Sequence, residues 1–312
     1  MSLNPITDLQ LWQQMLVYAA PLIIAALGEL IIERSGLLNV GIEGMMLVSA
    51  VVCFVAAFQT GSLAAGIGAG MLASGLMALV LAYYGITLGG SQITVGLGLY
   101  VLGIGLSSLI YRVVFGVRLS PPQVSTLGPV SLPGLADLPI LGPILFRQNV
   151  LVYVALLLVP AVHLFLYKTP LGLRIRATGE NPRAVDALGI NVFALRYGAT
   201  VGGGLLIGLA GGYLPLVLTG TFTDNMTAGR GWIALMLVIF GRWVPHVALL
   251  GAFLFAYVEA FQFKVAMGTK LVPPQFLLML PYVFAMIVLV QIYRGAKAPK
   301  ALTIPYDREA RG

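Results

Sequence analysis

The sequence predicts an all-α polytopic membrane protein of about nine transmembrane helices, with eight to ten as the range. Three observations predict it. Of 312 residues, 59% are hydrophobic and 9% charged, which is more apolar surface than a soluble core absorbs. Apolar segments of about 20 residues recur along the whole chain, so residues 1–312 read as one membrane domain. Glycines break two of those segments, one in each half, which is the pattern of a polar site built at membrane depth.

The first two crossings run from about Leu11 to Ile32 and from Leu37 to Phe58. Residues 1–12 hold no Lys or Arg, so the first apolar segment reads as a retained helix rather than a cleaved signal. The join, GELIIERSGLLNVGIEGMM, places Glu29, Glu33, Asn39 and Glu43 among apolar neighbours, with glycines at 28, 36, 41 and 44. A carboxylate at the centre of a lipid-facing helix costs roughly 2.5–3.5 kcal/mol, so these must face protein, water or a membrane surface. Two readings follow: a pathway lined by Glu29, Asn39 and Glu43, or a surface turn whose carboxylates are solvated or paired with Arg34. Residues 61–85 and 90–114 make two further crossings, whose glycines (66, 70, 96, 98, 103, 105) allow close helix approach.

Prolines at 121, 122, 129, 133, 139 and 143 break residues 115–148 into a loop, placed outside and serving as a connector or a docking surface. A crossing over 149–167 leads to the longest polar interval, residues 168–196. There Asn181 is a good N-cap, Pro182 suits the first helical position, and Gly189 suits a left-handed stop. Ala184, Val185 and Leu188 would line one face of this two-turn helix, and Arg183 and Asp186 the other. A helix so short needs a surface to hold it.

Residues 193–218 cross next, with glycines at 198, 202, 204, 208 and 212 implying tight packing. The following TGTFTDNMTAGRGWIALMLVIFGRW is the second broken segment: Thr227 or a neighbour would cap a helix from Gly229 to about Gly241. Its amides could then hold a polar solute beside Asn225, Arg230 and Trp232. Alternatively, Asp224 and Arg230 form a solvated pair and Trp232 is an interface anchor. The last crossings cover 247–263, where Glu259 and Lys264 can pair or, more commonly, Lys264 snorkels to the membrane surface, and 275–292.

The net charge of +7 is distributed rather than patched. Lys168, Arg174, Arg176, Arg183 and Arg196 lie in the central loop, and Arg294, Lys297, Lys300, Arg308 and Arg311 in the tail, 294–312. That is the positive-inside pattern, so both regions are expected in the cytoplasm near anionic lipid, with no nucleic-acid role. Counting back places the N-terminus outside. Cys53 is a lone buried thiol, and His163 and His246 read as solitary, so no metal is expected. No GxxxxGK[ST] loop or GxSxG is present, which leaves transport without a nucleotide site of the chain's own.

Three stretches carry a family resemblance: ERSGLLNVGIEGMML, ATGENPRAVDALGIN and TAGRGWIALMLVIFGRWVP. The chain resembles the permease subunits of bacterial ABC importers in the branched-chain amino acid and ribose group. It looks more like the nucleoside or simple-sugar branch than the ribose permeases, which carry a GIDLS-type sequence where Gly41, Ile42, Glu43 and Gly44 stand here. The resemblance implies a type II importer permease fold in a bacterial cytoplasmic membrane. It also implies that Gly179, Glu180, Asn181, Pro182, Arg183, Ala184, Asp186 and Gly189 form the coupling segment. The implied partners are an ATPase subunit that binds the ATP, a second homologous permease in a heterodimer, and an external binding protein or lipoprotein. A nucleoside or purine is the expected solute, with a simple sugar second. An ion-coupled carrier using Glu29, Glu43 or Glu259 is the alternative from another class.

Overall fold

The computed structural model describes residues 8–116, 120–131, 133–268, 273–292 and 297–308. Arg294 and Arg311 of the basic tail lie outside them. Helix α1 (Leu9–Arg34) is buried along nearly its whole length and forms the axis of the molecule. Around it pack α6 (Val150–Lys168), α9 (Val192–Tyr213), α10 (Arg230–Phe240) and α11 (Pro245–Gly268), with α12 (Pro274–Ile292) outside α11. On the other side, α2 (Ile42–Thr60) is enclosed by α3 (Leu63–Ala82), α4 (Gln92–Phe115) and α9. Seven described helices are long and apolar enough to cross a membrane, and Arg230–Phe240 and Gln275–Ile287 are shorter apolar helices.

Backbone approach explains why the polar-poor helices pack so closely. A Cβ on Gly28 would lie 2.5 Å from the Gly203 carbonyl oxygen, and one on Gly203 would lie 2.4 Å from that of Gly28, so α1 and α9 cross backbone to backbone. Gly44 and Gly103 do the same for α2 and α4. The packing expected of every spaced glycine fails at Gly98, Gly105, Gly198 and Gly202, which face open space. Gly98 and Gly105 each stand two residues from a contact glycine, which turns them away from the interface on a helix of 3.6 residues per turn. Exposed apolar side chains such as Val101, Leu109 and Val113 cover the outward face of α4. That face has the chemistry of a lipid or helix contact.

The first broken segment is longer than expected, because α2 begins at Ile42 rather than near Leu37. Gly36 is left-handed (φ +93°), and beyond it the Asn39 amide N–H donates to Glu29 Oε1 at 3.1 Å while Asn39 Oδ1 accepts from Gly41 N–H. With the Leu38 N–H donating to Gln92 Oε1 at 2.8 Å, three side-chain bonds thus replace helix hydrogen bonding until Ile42. α9 ends in a π turn, Leu214–Thr219; the Leu216 carbonyl within it accepts from Leu127 N–H of the proline-rich loop, and the Gly220 carbonyl just after it accepts from Val124 N–H. Among the described residues of that loop, a two-residue antiparallel pairing, β1 (Val130–Ser131) with β2 (Arg147–Gln148), and the short α5 (Leu141–Leu145) are the regular parts.

The polar interval folds as two helices. α7 (Pro170–Glu180) is capped by Thr169, whose hydroxyl accepts from Gly172 N–H. α8 (Pro182–Ala187) is capped by Asn181 Oδ1 and stopped at Gly189, φ +76°. Of the apolar stripe expected on α8, only Val185 is buried; Ala184 is exposed and Leu188 is 77% exposed.

Replacing Gly203 with Ile should lower the thermal stability of the detergent-solubilised protein by about 1–3 kcal/mol or more through overpacking. Gly202→Ile, which meets nothing within 4 Å, should leave it near wild type. Size-exclusion recovery after a heating series reads the difference.

Candidate functional site

The two glycine-broken segments meet at Glu43, which stands at the start of α2 and is 1% exposed. Its Oε1 accepts from Thr227 Oγ1 at 2.5 Å and Gly229 N–H at 2.7 Å, and its Oε2 accepts from Gly231 N–H at 2.6 Å. A carboxylate from the first half therefore caps the N-terminus of α10, satisfying orphan amides and the positive end of the helix dipole. Gly231 permits the contact, since a Cβ there would lie 2.7 Å from the Glu43 backbone. The turn before α10 is taut: Asn225, Ala228 and Gly229 all have positive φ. This corrects two expectations. Thr227 donates to Glu43 rather than capping α10, and in this conformation a carboxylate of the chain already occupies the Gly229 and Gly231 amides.

The other end of α10 is also tied to the first half. Arg242 and Trp243 take positive φ, which turns the chain sharply after the helix. Trp243 Nε1 donates to Glu33 Oε2, while the Trp243 carbonyl accepts from Arg34 Nε and Nη2 at 3.1 and 2.9 Å. Arg34 also donates to Tyr167. Arg34 thus serves the turn after α10 instead of pairing with a carboxylate. Glu29 and Glu33, one helical turn apart on α1, are both buried, and each leaves one oxygen without a hydrogen bond among the described residues.

Arg230 ion-pairs with Glu259 of α11, and its Nη1 donates to the Thr227 carbonyl at 3.3 Å. The expected pairings differ accordingly: Asp224 joins Arg112 at 3.5 Å, and Lys264 joins Asp8, the N-cap of α1. Glu259 and Lys264 are five apart on one helix and diverge around it, which leaves each to its cross-helix partner. Beside the Arg230–Glu259 pair lies a cavity of 150 Å³ between α10, α11 and α12. Of the predicted pathway residues, Glu43 and Arg230 are joined through Thr227, and Glu29 is joined to Asn39. Trp232 instead packs edge-on against Tyr100 of α4, and Asn225 is exposed in the turn. His163 and His246 are not solitary: their rings contact at 5.4 Å. No group of three metal-binding side chains exists among the described residues.

The polar interval forms a second candidate surface. Gly179 is pressed against the turn after α1, where a Cβ would lie 2.3 Å from the Arg34 carbonyl oxygen. Its own carbonyl accepts from Ala301 N–H at 2.8 Å. Arg196, counted from sequence among surface charges, is fully buried and donates to the carbonyls of Ser35 and Ile304. Asp186 pairs with Arg308 at 3.0 Å. Tail residues 300–307 and Glu180–Arg183 enclose a groove of 310 Å³, with Glu180, Asn181 and Arg183 exposed. Sequence reasoning missed α7 and the tail contact. The Thr169–Pro170 pair carries the same cap signal as Asn181–Pro182, whereas nothing local marks the tail as a partner.

Comparison with known proteins accords with this architecture. Residues 12–291 match the family described as branched-chain amino acid transport system, permease component, and the chain belongs to that family. It is a multi-pass ABC transporter permease. The guanosine ABC transporter permease protein of Bacillus subtilis is 34% identical over 95% of this chain and 96% of its own. The nucleoside ABC transporter permease protein of Lactococcus lactis is 33% identical over 97% and 99%. TsgC13 of Haloferax volcanii, which its name assigns to glucose ABC transport, is 40% identical over 79% and 74%. An inward-facing conformation of a metal-chelate type ABC transporter superposes with a TM-score of 0.53 at 18% identity, covering 93% of this chain and 90% of that one, and shares the fold. Permeases of this kind are transport subunits that act with a separate ATPase and a binding protein.

Glu43→Ala should strip three donors of their acceptor, each unsatisfied group costing about 1–3 kcal/mol. Glu43→Gln keeps one acceptor oxygen but turns an NH₂ toward a donor, so it should be intermediate. A thermal-unfolding series on the purified permease should rank wild type above Gln above Ala.

Proposed function

We propose that this chain is one of two permeases lining the route for a nucleoside, delivered by an external binding protein and driven by a separate ATPase that holds the ATP. The carrying observation is the identity of 34% and 33% to guanosine and nucleoside permeases over nearly their whole lengths. A simple sugar is the second reading, favoured by the 40% identity to TsgC13. The partner permease is a homologue rather than a second copy, the membrane is the bacterial cytoplasmic one, and residues 1–312 act as one domain with nine crossings. No cofactor is assigned to the chain.

Within that reading, Gly179, Glu180, Asn181, Pro182, Arg183, Ala184, Asp186 and Gly189 meet the ATPase. The exposure of Glu180, Asn181, Arg183 and Leu188 supports this, because it leaves the segment accessible to a partner. The solute route runs past Glu29, Asn39, Glu43, Asn225, Arg230 and Trp232. Support for Glu43 and Arg230 comes from their position where two broken helices meet within apolar segments. The ATPase changes access by gripping the loop differently in its two nucleotide states, since only differential contact shifts a conformational equilibrium.

Replacing Asn181–Gly189 with a Gly/Ser run should abolish uptake of radiolabelled guanosine and copurification of the ATPase while the permease remains in the membrane. Unimpaired uptake would refute the coupling assignment. Arg230→Ala should reduce uptake without releasing the ATPase.

A further inference from the structure

We propose that the cavity between α10, α11 and α12 is a contact site for a single neutral sugar ring, an inference that rests on the nucleoside-or-sugar reading above. The first argument is size. The cavity measures 150 Å³ and opens on one side, and a cavity of about that volume holds one six-membered ring in other proteins, so one ring can enter while the rest of a larger solute stays outside. It therefore fits one ring of a solute at a time.

The second argument is the lining: Arg230, Glu259, Gln262, Phe263, Pro281 and Tyr282. Glu259 and Gln262 are three apart on α11 and share a face. Gln262 is 3% exposed although it sits in an apolar helix, and it is one of the residues that line the cavity. Guanidinium only donates, carboxylate only accepts, and a carboxamide does both; hydroxyl groups on adjacent ring carbons can answer all three at once. Phe263 and Tyr282 supply aromatic surface for the C–H face of a ring. The Tyr282 hydroxyl is held at 2.6 Å by the Ala228 carbonyl, so the ring of Tyr282 is fixed beside the turn that leads into α10.

Charge gives the third argument. Arg230 and Glu259 neutralise each other, so an ionic solute would meet no net countercharge and would have to give up its hydration. A neutral polyhydroxyl ring loses less. This chemistry also reconciles the relatives, because a nucleoside carries a pentose and glucose is itself a hexose. The ring is what their named solutes share.

The test uses the assembled importer in proteoliposomes, with Phe263→Cys introduced on a Cys53→Ala background so that the polar lining stays intact. Labelling by a small water-soluble thiol reagent is followed with ribose, glucose, guanosine or free guanine. Ribose and guanosine should slow labelling roughly tenfold at about ten times their dissociation constants, and guanine should not. Adding Gln262→Leu should remove the protection and Gln262→Asn should restore part of it. Labelling unchanged by ribose, glucose and guanosine, or slowed equally by guanine, would overturn the proposal. Lack of ATP-driven uptake of both guanosine and glucose by the wild-type importer would instead overturn the transport reading, since labelling is scored without turnover.

Discussion

The rest of the structure depends on the bond between Glu43 and the start of α10. A half-length helix of eleven residues among apolar neighbours leaves amides exposed at one end and carbonyls at the other, and lipid can satisfy neither. Glu43 takes the first end, and Glu33 with Arg34 holds the turn at the second. All three anchors come from α1 and the first turn of α2. The second broken segment is therefore stable only because the first is broken in the right place: Gly36 and the Asn39 turn bring the chain back so that Glu43 starts a helix facing Gly231.

This arrangement accounts for the acidic residues without invoking lipid. Glu43 is a cap, Glu33 a tether and Glu259 the counter-ion of Arg230. Glu43 has donors on both carboxylate oxygens and Glu259 faces a guanidinium, while Glu33 keeps one bonded and one unbonded oxygen. The glycines follow the same logic, for Gly231 admits the Glu43 backbone while Gly28 with Gly203 and Gly44 with Gly103 bring the surrounding helices close enough to seal the junction.

Much of this was legible in the sequence. Apolar run length located the helices because membrane thickness fixes it, and Asn181, Pro182 and Gly189 bounded α8 because caps are local. That two broken segments exist was equally plain from Gly36, Gly41 and Gly229. What could not be read was partnership across the chain. Glu43 with Gly231, Arg230 with Glu259 and Asp186 with Arg308 are separated by long stretches whose relative placement depends on helix packing. Nearest-neighbour pairing, as supposed for Glu259 with Lys264, is a poor guide when helices offer partners from every side. The sugar-ring cavity was hidden for the same reason, since Gln262 is an ordinary polar residue until α12 folds over it.

The tail that lies along the α7–α8 surface carries a consequence for biosynthesis. The Gly179 carbonyl accepts from the Ala301 amide, Arg196 donates to the Ile304 carbonyl and Asp186 pairs with Arg308, and these tail residues follow the last described helix. A ribosome has therefore delivered every described membrane helix before one wall of this surface exists. Until residues 300–308 are made, α8 lacks the Arg308 partner of Asp186 and one wall of its groove, so this surface is completed only after the described membrane helices.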